Sequence, residues 1–280
     1  MKLARLFDAE IVGADSRQIY RDMPVGTAAP TAAERAEVAH HLVGFLDPHE
    51  RYSAARFTLE ALGAIEDIAL RGKRAIVVGG TGFYIRALCG DAALAPQYDD
   101  ELRARLRREI ALHPPEILHQ WLSSLRASRA SAIAARDTYR VVRGLEVALS
   151  RRQLRAQSLP SLRSRSIHFV KACLSVSPDV LEERIGARIA GMLRGGLLDE
   201  AQRIGAGAVA ASAVGYPQAL AYLSGFCTQR ELRETLFRVT RRYAKRQRTW
   251  FRSEPNVVWI DENGALEALT DLAREKLEWA

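Results

Sequence analysis

Residues 75–88 read AIVVGGTGFYIRAL. Four apolar residues run without a break into Gly79-Gly80-Thr81-Gly82, and a helical pattern follows at once. A short apolar run bounded by glycines suits a strand buried on both faces, and a strand that turns straight into a helix belongs to an α/β sheet. Glycines at such a turn let backbone N–H groups and a helix N-terminus approach an anion. Gly79, Gly80 and Thr81 are therefore candidate anion-binding residues, Thr81 adding a hydroxyl donor. The competing reading is a tight turn that binds nothing. No Gly-Lys-Ser/Thr follows, so the turn is not a Walker A loop.

Further strands are expected at Glu10–Val12, His168–Val176 and Val257–Ile260, with a shorter candidate at Leu42–Leu46. Helical patterns separate them, which predicts a parallel sheet. Tyr52–Leu70 carries apolar residues at helical spacing, with Ser53 as N-cap and Gly72 as stop. Between the strands at 74–78 and 168–176 the chain reads as helical and Arg-rich: DDELRARLRREIALH, PEILHQWLSSL and DTYRVVRGLEVALSRRQL. Crossovers are usually much shorter, so 95–165 is read as a helical insertion into a core formed by 1–94 and 166–280. Residues 158–166, SLPSLRSRS, read as the loop leading back. A helical stretch from Asp179 is broken at Gly195-Gly196 and again at Gly205–Gly207.

The 280 residues are 48% hydrophobic, enough for a sizeable core. No apolar run reaches the roughly 18–20 residues of a membrane span. Asp8, Glu10 and Asp15 interrupt any signal-peptide core, so the default location is the cytoplasm and no membrane partner is expected. Cys89, Cys173 and Cys227 lie far apart without metal-ligand spacing and read as reduced packing thiols. The formal charge of +8 concentrates at 103–108, 126–165 and 238–252, a weak pointer to nucleic acid.

GADSRQIY (13–20) places Asp15 and Ser16 at the carboxyl end of a strand, where ligands of open α/β sheets bind. A carboxylate there can take a proton or organise a metal; its ordinary alternative is an N-cap. In GTAAPT (26–31), Thr31 reads as the cap of the next helix, and His40-His41 as packing or capping residues rather than ligands. DTYRVVRGLEV (137–147) puts Arg140 and Arg143 on one helix face, either to follow phosphates or, for Arg143, to pair with Glu146. TRRYAKRQRTWFR (240–252) interleaves Arg241, Arg242, Lys245, Arg246, Arg248 and Arg252 with Tyr243, Trp250 and Phe251. That mixture suits an RNA backbone with stackable bases, with Lys245 and Arg246 as contacts, or equally a solvated face with a buried Trp.

In this order along the chain occur Asp-Ser-x-Gln-x-Tyr, Gly-Thr-Ala-x-Pro, His-His-Leu, Gly-Gly-Thr-Gly, Arg-x-x-Arg-x-Leu-Glu-Val, a Gly-Tyr turn and Ala-Lys-Arg-Gln-x-Thr-Trp-Phe-Arg. The set closely resembles the bacterial tRNA dimethylallyltransferases (isopentenyltransferases) from residue 3 to about 261. The resemblance implies a P-loop-kinase-like α/β core with a helical insertion. It implies transfer of a dimethylallyl group from its diphosphate to N6 of the adenosine 3′ of a tRNA anticodon, with Mg2+ and by a monomer. By the same resemblance Asp15 is the base and a candidate Mg2+ ligand, Thr81 is a second catalytic residue, and Gly79, Gly80 and Thr81 are diphosphate-binding. The tRNA contacts it implies are Asp15, Ser16, Arg17, Gln18, Thr81, Arg103, Tyr139, Arg140, Val141, Val142 and Arg143.

Several positions depart from that pattern. Arg136-Asp137 stands where Asn-Asp is usual, Tyr139 replaces a Gln, Arg126-Ala127 an Asp-Pro, and Pro217 a Lys or Arg. A GxxxxGK[ST] loop that cradles the diphosphate is expected just ahead of the helix ending in LARLF, with a strand before it in the middle of the sheet. Two other readings remain on sequence: a tRNA-binding relic without catalysis, and an enzyme prenylating free adenine nucleotides. The basic C-terminal block and Arg-rich insertion argue against the latter.

Overall fold

The computed structural model describes residues 1–92, 100–150 and 159–280. They form two compact units, Met1–Ala92 with Pro160–Ala280, and Ala93–Leu159.

The first unit opens with α1 (Lys2–Leu6), β1 (Ala9–Gly13), α2 (Pro24–Thr27), α3 (Ala32–Glu37), β2 (His40–His41), α4 (Ala54–Leu70), β3 (Arg74–Val78) and α5 (Gly82–Cys89). The second unit holds α6 (Asp100–Leu112), α7 (Pro115–Leu125), α8 (Ala127–Ser131) and α9 (Thr138–Leu149). The chain returns to the first unit with β4 (Lys171–Ser175), α10 (Pro178–Arg194), α11 (Leu197–Ile204), α12 (Tyr216–Leu223), α13 (Gln229–Arg252), β5 (Val257–Asp261) and α14 (Ala265–Leu277). No described helix is long and apolar enough to cross a membrane.

The strands are parallel, in the orders β2-β1-β3 and β4-β5. β1 has a neighbour on each side and is buried at all five positions. Its Glu10 is only 6% exposed and takes His41 Nε2 at 2.6 Å and Arg71 Nη2 at 2.7 Å. Burial alone would raise that carboxyl; the two partners outweigh it and hold it below its usual range. His40 and His41 thus form β2, with His41 hydrogen-bonded to Glu10 and His40 to Val38 O. α4 covers one face of the sheet because Phe57, Ala61, Leu62, Ile65 and Ile68 recur at helical spacing and meet Val12, Tyr84 and Leu88. Ser53 accepts from Arg56 N at its start, and Gly72 at φ +74° closes its end.

Leu42–Leu46 is not a strand. Leu42 and Gly44 take φ of +58° and +63°, which breaks the extended backbone, and the segment instead wraps the loop after β1. Gly44 N donates to Gln18 O, and Phe45 N and Leu46 N to Ile19 O. The strand expected over His168–Val176 is shorter, beginning at Lys171.

β3 and β4 each pair on one side only among the described residues. None of the five positions of β3 is buried, and Val78 and Leu174 are each 51% exposed. Between the two strands runs an apolar groove of about 260 Å3, bordered by Ile76, Val77, Ala172, Leu272 and Trp279. Each strand lining this groove has an edge unpaired among the described residues, and such an edge can accept a further strand.

In the second unit, Leu106, Leu118, Leu122, Val141 and Leu145 form the core. Asp137 caps α9 by accepting from Arg140 N at 3.1 Å. The part of the helix expected beyond Ser150 lies outside the described residues.

Candidate active site

The loop that leaves β1 and the turn that leaves β3 lie side by side, because the two strands are neighbours in register. Ala14 N donates to Val78 O at 2.7 Å and Thr81 N to Ala14 O at 3.2 Å. Thr81 precedes α5 but spends its hydroxyl elsewhere: it accepts from Ser16 N at 2.9 Å and donates to Ser16 Oγ at 3.2 Å. Asp15 Oδ1 accepts from Arg17 N at 2.8 Å and Gln18 N at 3.4 Å, a cap-like turn that fixes the carboxylate. Its Oδ2 accepts no hydrogen bond among the described residues.

The glycines of the turn each lie against a close neighbour. A Cβ on Gly79 would lie 2.1 Å from Ala14 O, one on Gly80 2.0 Å from Gln247 Nε2, and one on Gly82 2.1 Å from Trp250. Gln247 also donates to Gly80 O at 3.0 Å. One face of α13, Tyr243-Gln247-Trp250, therefore runs along the site. Its far end is held through Glu254, which takes Arg86 Nε on Oε1 at 2.5 Å and has Lys171 Nζ 3.8 Å from Oε2, with Arg86 4.3 Å over the Trp250 ring. Trp250 is a packing residue here rather than a base platform.

Arg246 lies 5.6 Å from the Tyr243 ring centroid, and the charges of Asp15, Arg17 and Arg188 also act on the phenol. Burial, then the Asp15 carboxylate, pushes that phenol above its ordinary value against the pull of the arginines. Arg188, on α10, was not singled out in the sequence. It is exposed to solvent, while partial desolvation draws its pKa down against Asp15 and Tyr243.

The neighbouring segment is held from within. Glu200, 1% exposed, accepts from Val25 N at 2.9 Å, Gly26 N at 2.7 Å and the Tyr216 hydroxyl at 2.6 Å. Burial and this carboxylate drive the Tyr216 phenol far above its ordinary range. Gly26 has no room for a side chain, since its Cβ would meet the Tyr216 ring at 2.6 Å. Glu200→Ala strips three buried donors of their acceptor and is expected to cost about 3–5 kcal/mol. Glu200→Gln, which keeps an acceptor, is expected to cost less; denaturant unfolding of both variants measures the difference.

The remaining candidates lie in the second unit or on the outer face of α13. Arg103 Nε and Arg143 Nη1 converge on Glu146, at 2.8 and 2.7 Å, and Glu146 is 3% exposed. The pairing reading of Arg143 holds, with Arg103 as a second partner. The side chains of Val141 and Val142, both implied as tRNA contacts by the resemblance, are 0% and 9% exposed and pack in the core of the unit. Tyr139 is 69% exposed, and Arg140 is open to solvent beside Asp137 at 3.1 Å. On α13, Arg238, Arg241, Arg242, Lys245 and Arg248 line a groove of about 560 Å3 against α10. Arg241 pairs with Glu182 at 2.8 Å; Arg242, Lys245 and Arg248 have no carboxylate within ion-pair reach among the described residues.

No three His, Cys, Asp or Glu side chains converge among the described residues. Asp15, with the Ser16 and Thr81 hydroxyls, offers hard oxygen donors but too few for a cage. Such a set fits Mg2+ only where substrate phosphates and water fill most of the shell.

A family model described as IPP transferase matches residues 18–254. A tRNA dimethylallyltransferase of Anaeromyxobacter dehalogenans is 42% identical over 267 residues, covering 92% of this chain and 88% of that protein. Among solved structures, the tRNA isopentenylpyrophosphate transferase of Bacillus halodurans is 34% identical with a TM-score of 0.70, covering 99% of this chain and 91% of its own. A eukaryotic dimethylallyltransferase acting on tRNA shares the fold at 23% identity and a TM-score of 0.74, over 98% of this chain and 74% of its own.

Proposed function

This chain belongs to the IPP transferase family, and from that premise we propose that it transfers a dimethylallyl group from dimethylallyl diphosphate to N6 of the adenosine 3′ of the anticodon in tRNA. The observation that carries the reading is Asp15. Its carboxylate is held by two backbone N–H groups at the carboxyl end of β1, leaves Oδ2 uncommitted, and acts electrostatically on Arg188 and Tyr243.

An exocyclic amine is a weak nucleophile, so its proton must leave as the new bond forms. The N6–C1 bond forms as the C1–O bond breaks. The bonding pair stays on the diphosphate oxygen, and the N6 proton goes to Asp15. Adenine stacked in an anticodon loop cannot reach a cleft, so the base is flipped out. Thr81 acts by holding Ser16 and the Asp15 turn in place. Bound Mg2+ would neutralise the leaving diphosphate, with Asp15 the carboxylate available to it.

The phosphate loop expected ahead of LARLF would follow a strand lying in the groove between β3 and β4. The open edges of both strands support that placement.

The test is label transfer from dimethylallyl diphosphate to undermodified tRNA, with AMP as competing acceptor, using the 280-residue chain and the same chain carrying a strand and a GxxxxGK[ST] loop ahead of Met1. Labelled tRNA is the expected product. Preference for AMP, or tRNA binding without transfer by either form, would overturn the reading.

The cation stripe on α13 supports backbone contact with RNA. Arg242→Ala and Lys245→Ala are each expected to weaken tRNA binding several-fold. Each should lower the slope of log K against log salt by about one, as a lost phosphate contact does. Filter binding over a salt series reads both quantities.

A further inference from the structure

Gln247 lies on the face of α13 that meets the turn after β3, and neither the proton transfer nor the cation stripe uses it. Its neighbours Lys245, Arg246 and Arg248 are exposed, whereas Gln247 is partly buried. Its Nε2 donates to Gly80 O at 3.0 Å. The same nitrogen lies 2.0 Å from where a Cβ on Gly80 would stand, so the amide fills the space of a side chain at 80. Gly80 does not have a positive φ; the close approach of α13 is what requires a glycine there.

The Gly80 carbonyl and the Thr81 N–H belong to one planar peptide unit. Gln247 holds one edge of that plane from α13, and Ala14 O holds the other by accepting from Thr81 N at 3.2 Å. The Thr81 hydroxyl then accepts from Ser16 N at 2.9 Å and donates to Ser16 Oγ at 3.2 Å. Ala14 and Ser16 flank Asp15, so the turn grips the proposed base on both sides. Without the amide the plane has one anchor instead of two, and any rotation of it carries Thr81 along. A displacement of about 1 Å at a reacting group can cost about a hundredfold in rate.

We propose that Gln247 is a positioning residue for prenyl transfer: by holding the Gly80–Thr81 peptide plane it sets where Thr81, Ser16 and hence Asp15 stand. The inference rests on the prenyl-transfer reading of this cleft. It makes α13 both the carrier of the cation stripe and the brace of the base.

Gln247→Met keeps the length of the side chain and removes the donor. In whichever form of the chain transfers label, with or without the added strand and loop, single-turnover transfer at saturating tRNA is expected to fall about ten- to a hundredfold. tRNA affinity and its salt slope should stay within about twofold, because no phosphate contact is lost. In a Thr81→Ala background the same substitution should cost less than about threefold, since the route from 247 to Asp15 is already cut. Backbone hydrogen exchange reads the brace without turnover. Gln247→Met should speed exchange at Thr81 N and Ser16 N about three- to tenfold, the worth of one hydrogen bond, and leave the amides of α4 unchanged.

Transfer by Gln247→Met within twofold of the unsubstituted chain would overturn the inference. So would losses at 247 and 81 that simply multiply, or exchange that rises equally in the turn and in α4. A loss confined to tRNA affinity would make Gln247 an RNA contact and overturn it as well. Failure of the prenyl-transfer reading shows differently, as no labelled tRNA from any form of the chain, and the exchange measurement then decides the brace alone.

Discussion

Asp15→Asn is expected to lower dimethylallyl transfer by about a hundred- to ten-thousandfold relative to the unsubstituted chain, the usual worth of a positioned general base. The substitution is nearly isosteric. The amide oxygen can still accept from Arg17 N and Gln18 N, and the Thr81–Ser16 contacts do not involve position 15. The loop should therefore keep its shape while the site loses its proton acceptor. Single-turnover assays with labelled donor and saturating tRNA isolate the chemical step. tRNA affinity is expected to stay within a few-fold, since an RNA backbone gains from losing a nearby negative charge. Transfer by Asp15→Asn at the unsubstituted rate would remove Asp15 from the chemistry.

Gly79→Ala is expected to be the most damaging single-atom change at the site. The added Cβ would sit 2.1 Å from Ala14 O and 2.2 Å from Ala14 C, and both are backbone atoms with no rotamer to yield. The ends of β1 and β3 must separate, which weakens Ala14 N–Val78 O and Thr81 N–Ala14 O together. Overpacking of this kind costs about 2–4 kcal/mol. Transfer is expected to fall further than stability does, because the same shift moves Asp15 away from Thr81 and α13. Gly63→Ala serves as the control: it lies within α4, meets nothing within 4 Å, and should stabilise by about 0.5–1 kcal/mol. Thermal unfolding and transfer rates of the two variants together distinguish a local clash from a general dislike of side chains at glycine positions.

Much of the scaffold was legible before any coordinates. The strand at 74–78 and the helix capped by Ser53 follow from residues close in sequence. A capping side chain acts across three residues and an apolar stripe across one turn, so each is complete within a short window. The same locality explains the capping box of Thr31 with Glu34 and the breaks at Gly196 and Gly205. It also explains the failure at Leu42–Leu46, where an apolar, β-compatible run is pulled out of extension by hydrogen bonds to Gln18 and Ile19.

The site was only half legible. Asp15, Ser16 and Thr81 could be nominated from strand ends, but their mutual contact depends on β1 and β3 being neighbours. That Val141 and Val142 pack inward while Tyr139 is open to solvent could not be read from α9 alone, since helix periodicity does not say which face a partner helix covers. Glu200 and Arg188 carried no local signal whatever. An acid in EAQRI and an arginine in GARIA look like ordinary helix-surface charges.

By itself, then, the order of residues determined the parallel α/β core, the helical insertion and the carboxylate at the end of β1. Only the tertiary structure decided that Glu200 is buried on the backbone of Val25 and Gly26, and that Arg188 reaches Thr27 beside Asp15. Packing helices against a twisted sheet brings together groups more than 150 residues apart in the chain, at |i−j| of 174 and 161. The strength of a charge depends on what surrounds it, and those surroundings exist only once the chain has folded.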